Sequence, residues 1–132
     1  MLEARKRMLE AALSALAGPV AVWCEGDAQA AADPDLVTLL SLQPLLALRK
    51  SDARVQGGLP PGRYPAYGMS LPQEARPRGN RFLGFPTGFS LDAFVDELVA
   101  LSRGARLASP LARETLSGLA RPVHATVLTS PG

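Results

Sequence analysis

The chain has 132 residues, of which 47% are hydrophobic and 20% charged, and its formal net charge is +2. That length holds one compact domain of about 100 residues plus an appendage, and so apolar a chain is not wholly disordered. One cysteine and one histidine exclude an intrachain disulfide framework, a complete dithiol site and a structural zinc site of sulfur and imidazole ligands.

Residues 3–17 read as a first helix. Leu9, Ala12, Leu13 and Leu16 share one face, Glu3, Lys6, Arg7, Glu10 and Ser14 supply polar positions, and Gly18-Pro19 ends it. Residues 20–24 are apolar throughout, the pattern of a strand covered on both sides, with Trp23 as packing material. Glu25-Gly26-Asp27 is expected to break that strand. Asp33 can cap the next helix and Pro34 suits its first position, while Pro44 stops it and separates it from a strand at 45–48.

Gly57-Gly58, Pro60-Pro61-Gly62 and Pro65 leave room for at most a short helical turn near residues 52–56. Strands follow at 66–71 and 81–84, joined by a turn over 72–79. Ser90 is expected to cap a helix carrying the apolar stripe Leu91, Phe94, Val95, Leu98 and Val99, closed by Gly104. Ser109-Pro110 opens a last helix with Leu111, Ala112, Leu116 and Leu119, and residues 123–129 read as a final strand.

The order is thus β-α-β, an irregular linker, then β-β-α, followed by a second helix and strand. Leu119-Ala120-Arg121-Pro122-Val123 repeats the pattern of Leu16-Ala17-Gly18-Pro19-Val20. On that order and repeat the chain resembles the amino-terminal part of the two-domain, glutaredoxin-like protein disulfide oxidoreductases, built from two thioredoxin-fold units. The words that carry it are Gly79-Asn80-Arg81-Phe82-Leu83-Gly84-Phe85-Pro86-Thr87-Gly88-Phe89, then Ser102-Arg103-Gly104, then Arg121-Pro122-Val123-His124 through Thr129-Ser130-Pro131. The likeness spans residues 3–132, strongest from 79 onward and weak between 27 and 62.

The resemblance implies an α/β fold: a thioredoxin-like mixed sheet flanked by helices over residues 1–104. It also implies the helix and first strand of an incomplete second unit over 105–132. In the family a Cys-x-x-Cys pair can follow the first strand, where this chain has Gly26-Asp27-Ala28-Gln29. The second unit's pair follows the segment matching Thr129-Ser130-Pro131, where only Gly132 stands. The expected function is a redox-inactive scaffold or substrate-orienting module. The alternative is a fragment of an active thiol–disulfide oxidoreductase whose cysteine pair lies beyond residue 132.

Cys24 reads as an inert thiol inside an apolar strand; the competing reading puts it at the strand exit as a reactive group. Thioredoxin-like proteins carry a cis-proline before the third core strand, and Tyr64-Pro65-Ala66 falls at that place. The resemblance therefore makes Tyr64, Pro65 and Tyr67 substrate-edge candidates, against the plainer reading of a bend and ordinary packing. His124 reads as an edge residue of the last strand, and Asp92, Asp96 and Glu97 as solvent-facing helix positions. Thr87-Gly88-Phe89-Ser90 lacks a phosphate-binding glycine motif.

Scattered arginines and few aromatics give no nucleic-acid surface, and no stretch nears the roughly twenty apolar residues of a membrane span. The basic Arg5-Lys6-Arg7 run is flanked by glutamates and fits a solvated helix face. No secretory signal pattern opens the sequence, so a cytoplasmic location is expected. The expected partners are a protein or peptide substrate and, where the appendage does not instead pack onto residues 1–104, a second copy bound through residues 105–132. No cofactor or metal is expected.

Overall fold

A computed structural model describes residues 1–26, 32–51, 65–78, 80–104 and 110–121. In chain order these form α1 (Glu3–Leu13), β1 (Val20–Glu25), α2 (Pro34–Leu42), β2 (Leu46–Ser51), β3 (Ala66–Ser70), β4 (Phe82–Leu83), α3 (Phe89–Arg103) and α4 (Pro110–Ser117). The strands make one mixed sheet in the order β2-β1-β3-β4. β1 runs parallel to β2, and β3 is antiparallel to both β1 and β4.

Register divides the sheet into two unlike faces. Val20, Val22 and Cys24 align with Leu46, Leu48 and Lys50 on one side and with Met69 and Tyr67 on the other. Apart from the exposed Lys50, these positions meet Leu9 and Leu13 of α1, Leu36 and Leu39 of α2, and Leu91, Phe94, Val95 and Leu98 of α3 in one core. Each such side chain fully removed from water stabilises the fold by about 1.5–3 kcal/mol, which is why these helices settle there. The opposite face carries Ala21, Trp23 and Glu25, aligned with Ser70, Gly68 and Ala66.

α1 and α3 lie side by side in the same direction. Arg5 Nη2 donates to the Gly88 carbonyl at 2.8 Å and pairs with Asp92 at 2.9 Å at the helix starts. At the other end Arg103 Nε donates to the Ala15 carbonyl at 2.8 Å, and the Ala17 amide donates to Ser102 Oγ at 3.0 Å. Arg5 is thereby spent on a helix clip rather than left on a solvated face.

Several boundaries depart from the sequence reading. α1 ends at Leu13, not near residue 17, because the chain tightens into turns: Ala15 and Leu16 amides donate to Ala12 and Leu13 carbonyls. β1 includes Glu25 instead of breaking at it, and β2 runs on through Arg49 and Lys50 to Ser51. β3 stops at Ser70 and β4 is confined to Phe82–Leu83. Ser90 is not a cap. Gly88, at φ +56° and two residues ahead of Ser90, turns the chain into α3, and no side chain caps the helix. Asp33 does cap α2, its Oδ1 accepting from the Asp35 and Leu36 amides at 2.9 and 3.3 Å. Gly104 closes α3 in the left-handed region, as the sequence indicates.

α4 buries none of its residues, and Leu111, Leu116 and Leu119 face solvent. The expected turn at 52–56, the Tyr64–Pro65 bond, His124 and the final strand at 123–129 lie outside the described residues. What stands is a mixed α/β domain with a four-stranded open sheet; a second unit is not seen among the described residues.

Candidate functional site

The residues singled out in the sequence gather at the carboxyl end of β1. Cys24 is 3% exposed, sits in the apolar core and aligns with Tyr67 across the strand pair. Tyr67 is 1% exposed and packs edge-to-face on Phe85, ring centroids 5.3 Å apart at 81°. It therefore presents no outward aromatic surface; the packing reading describes its place. The Cys24 thiol is thus a buried group packed in the core.

Pro65 stands one residue before β3, at the same end of the sheet. Its carbonyl accepts the Gly84 amide at 2.8 Å. Gly26, which follows β1 at φ +107°, is close enough that a Cβ there would lie 3.9 Å from Pro65 Cα. Pro65 thus bridges the ends of β1 and β4. Tyr64 lies outside the described residues.

The feature the sequence reading missed is an ion pair on the opposite face. Arg81 Nε donates to Glu25 Oε1, and the two side chains are 5% and 1% exposed. Arg81 reaches Glu25 across Gly68, where a Cβ would come within 3.2 Å of Arg81 Cδ and 3.1 Å of Pro77 Cβ. Only glycine leaves that passage open without displacing its neighbours. Two charges taken out of water together are tolerable because each satisfies the other. Period-two alternation beyond Cys24 was the available signal, since it puts Glu25 on the face of Trp23.

Polar contacts continue along that face. Trp23 Nε1 donates to Ser70 Oγ at 2.8 Å, and the Arg49 guanidinium lies 4.3 Å from the Trp23 ring centroid. Arg49 Nη1 also donates to the Glu74 carbonyl at 2.6 Å. The Glu74 side chain accepts from the Leu71 amide at 2.9 Å and from Arg78 Nε at 3.0 Å. The Leu71 amide holds the Glu74 carboxyl below its ordinary value; burial opposes it, and the Arg78 guanidinium adds to the lowering.

The remaining candidates do not converge. Asp92 is engaged by Arg5, and Glu97 accepts from Asn80 Nδ2 at 3.4 Å. Among the described residues no cluster of three metal-ligating side chains occurs, and no helix is long and apolar enough to cross a membrane. Among the described residues the end of β1 is packed and its buried polar side chains are hydrogen-bonded. Comparison with protein-family models and with curated proteins gives no match to this chain.

Proposed function

We propose that this chain serves as a redox-inactive, thioredoxin-like scaffold that presents or orients a protein or peptide substrate in a disulfide-oxidoreductase-like assembly. The observation that carries the reading is the end of β1: a core thiol at Cys24 followed by the Glu25–Arg81 pair, within a β2-β1-β3-β4 sheet. That strand order, with β3 antiparallel to its neighbours, is compatible with the thioredoxin-like sheet the resemblance implies. Dithiol exchange needs an attacking thiolate and a resolving thiol, and this chain has one cysteine. Pro65 beside Gly26 supports a retained substrate-facing edge.

The test is insulin reduction by dithiothreitol in the presence of the 132-residue chain, beside a buffer blank and a Cys24→Ser variant. No catalysis above the blank is expected. Turnover that disappears in the variant would overturn the proposal. The exposed leucines of α4 give the same scaffold a means of self-association, and we assign that role to residues 105–132.

A further inference from the structure

Between β3 and β4 the chain does not take the shortest way round. Residues 71–78 cross the polar face of the sheet and are tied to it at several points. The Arg78 amide donates to the Met69 carbonyl of β3 at 2.9 Å, while the Glu74 amide donates to the Leu71 carbonyl within the segment at 3.1 Å. Pro77 is buried against Gly68, the cross-strand neighbour of Trp23. Arg49, which lies over the Trp23 ring, is held by the Glu74 carbonyl.

We propose that residues 71–78 form an acid-released strap over the Trp23 face of the sheet, with the Glu74 carboxylate as its clasp. One oxygen, Glu74 Oε1, takes both the Leu71 amide and Arg78 Nε, so it joins the two ends of the strap. Protonation removes the charge that attracts Arg78 and weakens both bonds at once. The charged groups around the clasp are Arg78 on the strap and Arg49 from β2. Farther along stands the Glu25–Arg81 pair, whose Arg81 Nη2 donates to the Pro77 carbonyl at 3.4 Å. Loss of the clasp lets Glu74 withdraw its carbonyl from Arg49 and lifts Pro77 from Gly68, which uncovers the Trp23 indole.

The sign follows from the depressed acidity of Glu74. The closed strap favours the ionised carboxylate, so closure is fully supported above the ordinary glutamate range. That support is lost as pH falls through the lower value the folded chain imposes. Arg78→Gln removes a cause of the depression and moves release to higher pH.

Trp23 is the sole tryptophan and reports the event directly. Acrylamide quenching of its fluorescence is measured from about pH 7 to about pH 3 alongside far-UV circular dichroism, for the parent chain, Glu74→Gln and Arg78→Gln. The expected result is a red-shifted, more quenchable emission that precedes any loss of helix and sheet signal. Its midpoint is raised in Arg78→Gln, and the step is absent in Glu74→Gln, which is already more quenchable at neutral pH. A rise that occurs only with global unfolding, an acid step retained in Glu74→Gln, or an unmoved midpoint in Arg78→Gln would each overturn the proposal. If Glu74→Gln does not fold, the Arg78→Gln midpoint decides.

Discussion

Arg81 crosses over Gly68 to close on Glu25, so the last residue of the central strand is tied to the residue just before β4 through a pair almost wholly removed from solvent. This contact holds the end of β1 against the segment that enters β4. Its energetics are asymmetric. Removing one member leaves a buried charge with its principal counter-charge gone, whereas removing both leaves packing.

Arg81→Met is accordingly expected to lower unfolding free energy by about 3–5 kcal/mol, and adding Glu25→Leu to it should restore a large part of that loss. Urea denaturation of both variants measures the difference. A double variant as unstable as Arg81→Met alone would show that the charge left behind is not the cause.

Gly68 is expected to resist even alanine. The added Cβ would sit 3.1 Å from Pro77 Cβ and 3.2 Å from Arg81 Cδ, so either the strap or the ion pair must shift. Overpacking of this kind costs about 1–3 kcal/mol. Thermal unfolding of Gly68→Ala should show the loss, whereas Gly18→Ala meets nothing within 4 Å and should leave stability near the parent value.

Ser70 gives the buried Trp23 indole its acceptor. Ser70→Ala should lower stability by about 1–3 kcal/mol through an N–H stranded in the interior. The tryptophan emission should change in the same variant, since the polar group nearest the indole nitrogen is gone. Parent-like stability would mean that another acceptor replaces Ser70.

Much of this arrangement was legible in the residues. The all-apolar run 20–24 marked a covered strand, Asp33-Pro34 marked a helix start, and the stripe Leu91, Phe94, Val95, Leu98 located α3. Local chemistry fixes such features, so the sequence carries them. Glu25 was read as a strand breaker because an isolated carboxylate is unfavourable in a sheet; only a partner 56 positions away makes its burial acceptable. Ser90 looked like a cap by composition, but Gly88 reaches the positive-φ entry first. Tyr67 lay beside Pro65 in sequence, yet strand alternation and its pairing with Cys24 turn it into the core.

The appendage carries its own prediction. Leu111 and Leu116 of α4, with Leu119 just beyond it, are left in solvent, an apolar surface that a second copy can cover. Light scattering over a concentration series should show dimer formation, and Leu111→Glu with Leu116→Glu should shift the chain to monomer without reducing its circular dichroism. A parent chain that stays monomeric at every concentration removes the dimer.

The most direct measurement is the reactivity of Cys24 itself. A chromogenic aromatic disulfide is mixed with the native chain and with the chain unfolded in guanidinium, and the rates of thiol release are compared at one pH. A core thiol reacts only when the structure opens, so the native rate should be more than about a hundredfold slower than the unfolded one. A native Cys24 that reacts as fast as the unfolded chain, or faster, would place a working thiolate at the end of β1 and contradict the scaffold account.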